Sequence, residues 1–148
     1  MFRVTSRAWA QLWRQQAACS LSTSRVVRLR EGDTARASRL ITEEEVRQYG
    51  ELVGDHNPVH QEIVHGTFLL GLVSGLMASS LPGPGTVLTG LNAKFVSPCV
   101  FPSTVELLVE LGRVRRITTA HFTLQDRDSG QVLVRGEASC YLSKEQLQ

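Results

Sequence analysis

The second half of the chain alternates between apolar and polar positions. Val105, Leu107, Val109 and Leu111 fall on one side of a strand, and Val132 and Val134 on one side of another. That is the period of two that sends successive side chains to opposite faces of a sheet. Four strands are expected, over residues 86–96, 103–115, 118–126 and 131–142, and the run Asp126, Arg127, Asp128, Ser129 and Gly130 supplies hairpin residues between the last two. Upstream the pattern changes. Residues 63–80 read as one long helix that is apolar nearly all round, with Val64, Phe68, Leu69, Leu70, Leu72, Val73, Leu76 and Met77. Such a helix has to be enclosed by protein or by lipid.

A shorter helix precedes it. Thr42 followed by Glu45 reads as a capping box, with Glu43 and Glu44 favoured at the positive helix start. Val46, Tyr49 and Leu52 or Val53 form its apolar stripe, and Gly54 ends it. Residues 54–60 follow as a loop, because Pro58 pushes Asn57 out of helical geometry. Earlier still, Val26, Val27 and Leu29 suit the opening of an edge strand. One apolar helix followed by a run of antiparallel strands has a natural solution, in which the sheet curls around the helix and buries it. The expected class is α+β.

A membrane span is the competing account of the apolar helix, since no Asp, Glu, Lys or Arg occurs from Ile63 to Ala93. Glycines and serines dilute the run, and Pro82, Gly83, Pro84 and Gly85 stop it. Residues 66–81 number only 16, short of the roughly 20 that a span requires. Glycines at 66, 71 and 75 suit close packing on a sheet instead.

Composition describes one globular domain, with 42% hydrophobic and 20% charged residues. The formal charge of +2 is unevenly distributed. Arg3, Arg7, Arg14, Arg25, Arg28 and Arg30 occupy the first thirty residues, which contain no acid, and the rest of the chain holds 10 basic against 14 acidic side chains, a formal −4. An acidic body argues against nucleic acid as a partner. The leader itself is rich in Arg, Ser and Thr. On a helical wheel Phe2, Leu12, Trp9 and Trp13 gather, with Arg3, Arg7 and Arg14 on a flank. This is transit-peptide composition, with residues 1–25 as the presequence, residues 26–148 as the domain and the mitochondrial matrix as destination. An ordinary basic N-terminal helix is the alternative. Cys19, Cys99 and Cys140 lack metal-type spacing and read as ordinary, mostly buried residues.

The loop carries the candidate chemistry. A carboxylate and a neutral imidazole on one rigid turn can shuttle protons. Asp55 and Asn57 are equally at home as turn residues, and His60 as a structural histidine. His56, His60 and His65 beside Asp55 also raise a metal site, although their spacing fits no established ligand template. Arg113, Arg115 and Arg116 read as a solvated face, or as a surface for an acidic carrier protein or a nucleotide phosphate.

Gly54-Asp55-His56-Asn57-Pro58-Val59-His60 resembles the G-D-x-N-P-x-H signature of the MaoC-like, R-specific enoyl-thioester hydratases, and Ile63-Val64-His65-Gly66 resembles the I-x-H-G opening of their central helix. Pro82-Gly83-Pro84-Gly85 and Lys94-Phe95-Val96-Ser97-Pro98 also look like that family. The resemblance covers about residues 26–142. It implies the hotdog fold, a curled antiparallel sheet around a long central helix, and a homodimer with the acyl tunnel near the subunit interface. It implies a lyase that interconverts 3-hydroxyacyl and trans-2-enoyl thioesters on acyl carrier protein or CoA, with no metal, flavin or nicotinamide. Asp55 and His60 take the catalytic roles, and Asn57 is their orienting neighbour. Backbone N–H groups near His65 and Gly66, at the positive end of the helix, suit the thioester oxygen, and the glycine permits close approach. One departure stands out. Family members carry a helix-sized stretch between the signature histidine and the central helix, where this chain has only Gln61 and Glu62. The alternative is therefore a catalytically impaired hotdog variant that only binds acyl groups or partners. A thioesterase fits the signature less well.

Overall fold

The computed structural model describes residues 28–147, so the expected presequence and the strand-opening Val26 and Val27 lie outside the described residues. In chain order the elements are β1 (Thr34–Ile41), α1 (Glu43–Val53), a 3-10 turn (Pro58–Gln61), α2 (Gly66–Ser79), β2 (Val87–Phe95), β3 (Ser103–Leu111), β4 (Ile117–Asp126), β5 (Val132–Tyr141) and a final 3-10 turn (Glu145–Leu147). The five strands form one sheet in the order β1-β3-β4-β5-β2, with antiparallel pairing throughout. Laid flat, four strand spacings would separate the two edge strands by about 19 Å. Yet α2 touches both edges, β1 and β2, as well as β3. The sheet therefore curls around the helix, which is the hotdog α+β arrangement.

The core lies between them. Leu69, Val73, Leu76 and Met77 of α2 meet Val105, Leu107, Val109 and Leu111 of β3 and Phe122 and Leu124 of β4 in one buried cluster. The expected inner face of β3 is thus the buried one. On β5 the expectation was half right. Leu133 and Val134 are buried while Val132 is only half-buried, because the register slips between Leu124 and Gln125 and turns the strand start over. β3 ends at Leu111 rather than Arg115, because the chain turns back before β4, where Thr118 Oγ1 accepts from the Arg115 N–H at 2.9 Å and donates to the Arg115 carbonyl at 2.6 Å. Leu29 lies in no strand, and β1 opens only at Thr34.

Two further expectations change. The central helix begins at Gly66, not Ile63. Ile63 forms an isolated antiparallel bridge with Val100, and the Val64 N–H donates to the Cys99 carbonyl at 2.8 Å, so this segment is held extended against the β2–β3 connection. In α1 the capping box forms as expected and Gly54 closes the helix at φ 73°, a left-handed geometry that glycine adopts without a Cβ clash. The buried line of α1, however, is Val46 and Gly50 with Tyr49 half-buried, while Leu52 and Val53 are 81% and 50% exposed. Gly50 fits because the Asp55 carbonyl and the His65 ring crowd it, and an added Cβ would meet that carbonyl at 2.9 Å. No helix of the described residues is long and apolar enough to cross a membrane.

Candidate active site

The loop after α1 is built by its own side chains. Asp55 Oδ1 accepts from the Asn57 N–H at 3.2 Å, and Asn57 Oδ1 accepts from the Val59 N–H at 3.2 Å, capping the 3-10 turn that Pro58 opens. Asn57 thus acts on the backbone of the loop. The turn delivers His60 back toward Asp55, with Nε2 3.3 Å from Asp55 Oδ2. His60 is mostly enclosed, with 17% of its side chain exposed, whereas Asp55 is 45% exposed.

Hydrogen bonding assigns the proton on His60. Its Nδ1 lies 2.8 Å from the Ile63 carbonyl, which can only accept, so Nδ1 carries the hydrogen. In the neutral ring Nε2 is then a proton acceptor, and it faces a second acceptor, Asp55 Oδ2. The contact is favourable only with a proton between them or with a donor group bridging the two. An arrangement of this kind can accept a proton and give one back.

Behind His60 lies His65, the N-cap residue of α2, which is 2% exposed. Its ring stacks on His60 with 3.6 Å between centroids and 19° between planes. On the other side it meets Tyr49 edge-on at 5.2 Å, and Tyr49 stacks on Phe68 at 5.1 Å. Four rings therefore tie the loop, α1 and α2 together. His65 Nδ1 is buried without a hydrogen-bond partner, and Nε2 makes only a long 3.5 Å contact to the Asp55 carbonyl. The His65 carbonyl accepts from the Phe68 and Leu69 N–H groups, leaving the Gly66 and Thr67 N–H groups as the helix start without intrahelical partners. Those are the donors available to an oxyanion. Gly66 also packs closely on the sheet, as the sequence led one to expect. The Phe95 ring of β2 lies against it, and a Cβ there would meet Phe95 Cε1 at 2.6 Å.

Asp55, His60, His65 and Gly66 are thus brought to one place, and His56 lies exposed outside the cluster. Ligand atoms of Asp55, His60 and His65 lie within 4.8 Å of one another, which reopens the metal reading. The ring stack answers it. Imidazole lone pairs lie in the ring plane, so two nearly parallel rings direct them alongside each other rather than toward one ion. Cys99 and Cys140 are buried, and burial pushes both thiols up, away from nucleophilic character. A cavity of about 360 Å³ opens on the outer sheet face instead, lined by Arg36, Ser38, Glu106, Leu108, Thr123 and Gln125.

Residues 26–129 match the MaoC-like domain family. The chain belongs to that family. It is 32% identical to the (R)-specific enoyl-CoA hydratase of Aeromonas caviae, over 72% of this chain and 90% of that protein. It is 29% identical to the 3-hydroxybutyryl-CoA dehydratase of Methylorubrum extorquens, over 72% of this chain and 76% of that protein. The solved (R)-hydratase of A. caviae, involved in PHA biosynthesis, superposes with a TM-score of 0.74 at 31% identity, covering 78% of this chain and 98% of that one. The match to the A. caviae enzyme spans 125 aligned positions but takes in only 72% of the 148 residues here. The relative therefore carries residues within this span that this chain lacks.

Proposed function

We propose that this protein is a hydro-lyase interconverting (R)-3-hydroxyacyl and trans-2-enoyl thioesters. The observation that carries the reading is the Asp55–His60 pair, 3.3 Å apart beside the start of α2. In the dehydrating direction the pair removes the proton beside the thioester carbonyl and protonates the departing hydroxyl, which leaves as water. Charge developing on the carbonyl oxygen is met by the Gly66 and Thr67 N–H groups. The curated relatives, a hydratase and a dehydratase of CoA thioesters, support this chemistry.

The finer reading is a dehydratase of mitochondrial fatty acid synthesis, working in the matrix on acyl carrier protein. It is supported by the arginine-rich, acid-free first thirty residues and by the resemblance of leader and signature together to the type 2 mitochondrial hydroxyacyl-thioester dehydratases. The working unit is a homodimer. β2 is an edge strand with Val87, Leu88, Leu91 and Phe95 exposed, and pairing with a second copy hides such an edge.

A second reading, an impaired variant that binds acyl groups without turning them over well, is favoured by one feature. The two-residue link holds His60 flat against His65, and Leu52, Val53 and Val59 around the loop are left exposed. Hydration of crotonyl-CoA, with the product resolved by chirality, tests the proposal. The expected product is (R)-3-hydroxybutyryl-CoA, formed at a rate that Asp55→Asn or His60→Ala lowers by about two to four orders of magnitude. An (S) product, or a rate indifferent to both substitutions, overturns it.

A further inference from the structure

We propose that the outer face of the sheet carries a second small-molecule site, for a zwitterion whose carboxylate and ammonium are separated by a short methylene chain. It goes beyond the hydro-lyase reading and does not depend on it. The cavity over β1, β3 and β4 holds about 360 Å³, within the range of roughly 300–1,000 Å³ usual for ligand clefts. The pairing register lays its lining out as two rows. Ser38, Glu106 and Gln125 form one, and Arg36, Leu108 and Thr123 form the next, two residues along each strand. These side chains point away from α2, since the alternate positions Val105, Leu107 and Leu124 are buried in the core.

Two features keep the space open. The sheet curls around α2, so its outward side chains diverge, and the short Ser38 and Thr123 leave a trough between longer neighbours. Glu106, half-buried, is drawn toward β4, its Oε2 accepting from Gln125 Nε2 at 3.2 Å. Arg36 stands on β1 across the trough, exposed and in no ion pair among the described residues. Two carboxylates, Glu106 and Glu110, are its diagonal neighbours in the register, and it pairs with neither. Other arginines of this chain close on a carboxylate within reach, Arg39 on Glu45 and Arg47 on Glu44.

The arrangement sets the chemistry of the ligand. A guanidinium presents a planar fork of donors that matches a carboxylate, which places the anionic end at Arg36. Glu106 gives one oxygen to Gln125, and its other oxygen is an acceptor for an ammonium. Diagonal positions on neighbouring strands lie about 7–8 Å apart, so the two charged ends of one ligand have to be separated by several bonds. An α-amino acid carries both charges on one carbon and is too compact to reach both walls. The methylene chain between the ends lies over Leu108, apolar and half-buried, with the Ser38 and Thr123 hydroxyls beside it. A ligand with a single charge engages only one wall.

Amide-resolved NMR of the isotope-labelled full chain tests this, with 4-aminobutanoate as the probe and butanoate and butylamine as single-charge controls. Saturable shifts from the probe are expected at residues 36–38, 106–108 and 123–125. The controls should bind about fivefold or more weakly, as the loss of one bidentate or half-enclosed ion contact implies. Arg36→Gln and Glu106→Gln should each weaken the probe by a similar factor. Both side chains point away from the core, and a spectrum unchanged outside the cavity verifies that the variants fold. Binding that either substitution leaves intact, or that either control matches, overturns the two-ended site. The absence of any saturable shift with the probe overturns the proposal outright.

Discussion

The His60 ring lies on the His65 ring, 3.6 Å between centroids and 19° between planes. His65 caps α2 and is buried, so the position of His60 is dictated by a residue five places along the chain. Two intervening residues, Gln61 and Glu62, with Ile63 and Val64 bound to the Val100 and Cys99 backbone, leave the histidine no other place to go. This contact bears on turnover.

Inserting a helix-sized segment of about 12 residues after His60 should release the stack. The rate of crotonyl-CoA hydration is then expected to rise about a hundredfold or more, since displacement of about 1 Å is enough to cost that factor. Single-turnover assays of parent and insertion variant, run side by side, check this. A parent already working at ordinary enzyme rates would show that the short link does no harm.

Gly66→Ala should destabilise the fold, because the new Cβ would be placed 2.6 Å from Phe95 Cε1. Overpacking of this kind costs about 1–3 kcal/mol. The ring belongs to an exposed edge residue, so Gly66→Ala with Phe95→Leu should recover most of the loss. Thermal unfolding of the two variants beside the parent decides it, and a double variant no better than Gly66→Ala would place the strain elsewhere.

Asp126 offers a pH handle away from the site. The Ser103 hydroxyl first, then the Ser129 hydroxyl and N–H, hold its carboxyl down from the usual 3.8 to about 2. A depressed carboxylate stabilises the fold at neutral pH, and that contribution fades as pH falls below about 4 and is gone below about 2. Ser103→Ala should therefore raise the Asp126 midpoint toward the ordinary value and flatten the acid side of the stability curve. Carboxyl-carbon NMR titration reads the midpoint directly, and an unmoved midpoint refutes the assignment to Ser103.

A fluorescent fusion carrying residues 1–30 is expected to enter mitochondria, and Arg3→Glu, Arg7→Glu and Arg14→Glu together to abolish entry. Import is read by co-localisation and by cleavage of the fusion. Diffuse cytosolic signal from the unmodified fusion would remove the basis for a matrix role.

Local pattern was enough for most elements. Alternation on β3, the capping box at Thr42 and the left-handed stop at Gly54 all depend on neighbours within a few residues, so they are readable in order along the chain. The loop signature likewise named Asp55, His60, His65 and Gly66 before their proximity was visible. Tertiary contact decided the rest. Whether Ile63 and Val64 belong to the helix depended on Val100 and Cys99, more than thirty residues away. Whether Leu133 or Val132 faces inward depended on a register slip against β4. That the partner packed against Gly66 is Phe95 of β2 was likewise decided only by the fold. Periodicity reports the face that a residue prefers, while burial depends on which partner arrives there, and in this chain those partners come from distant parts of the sequence.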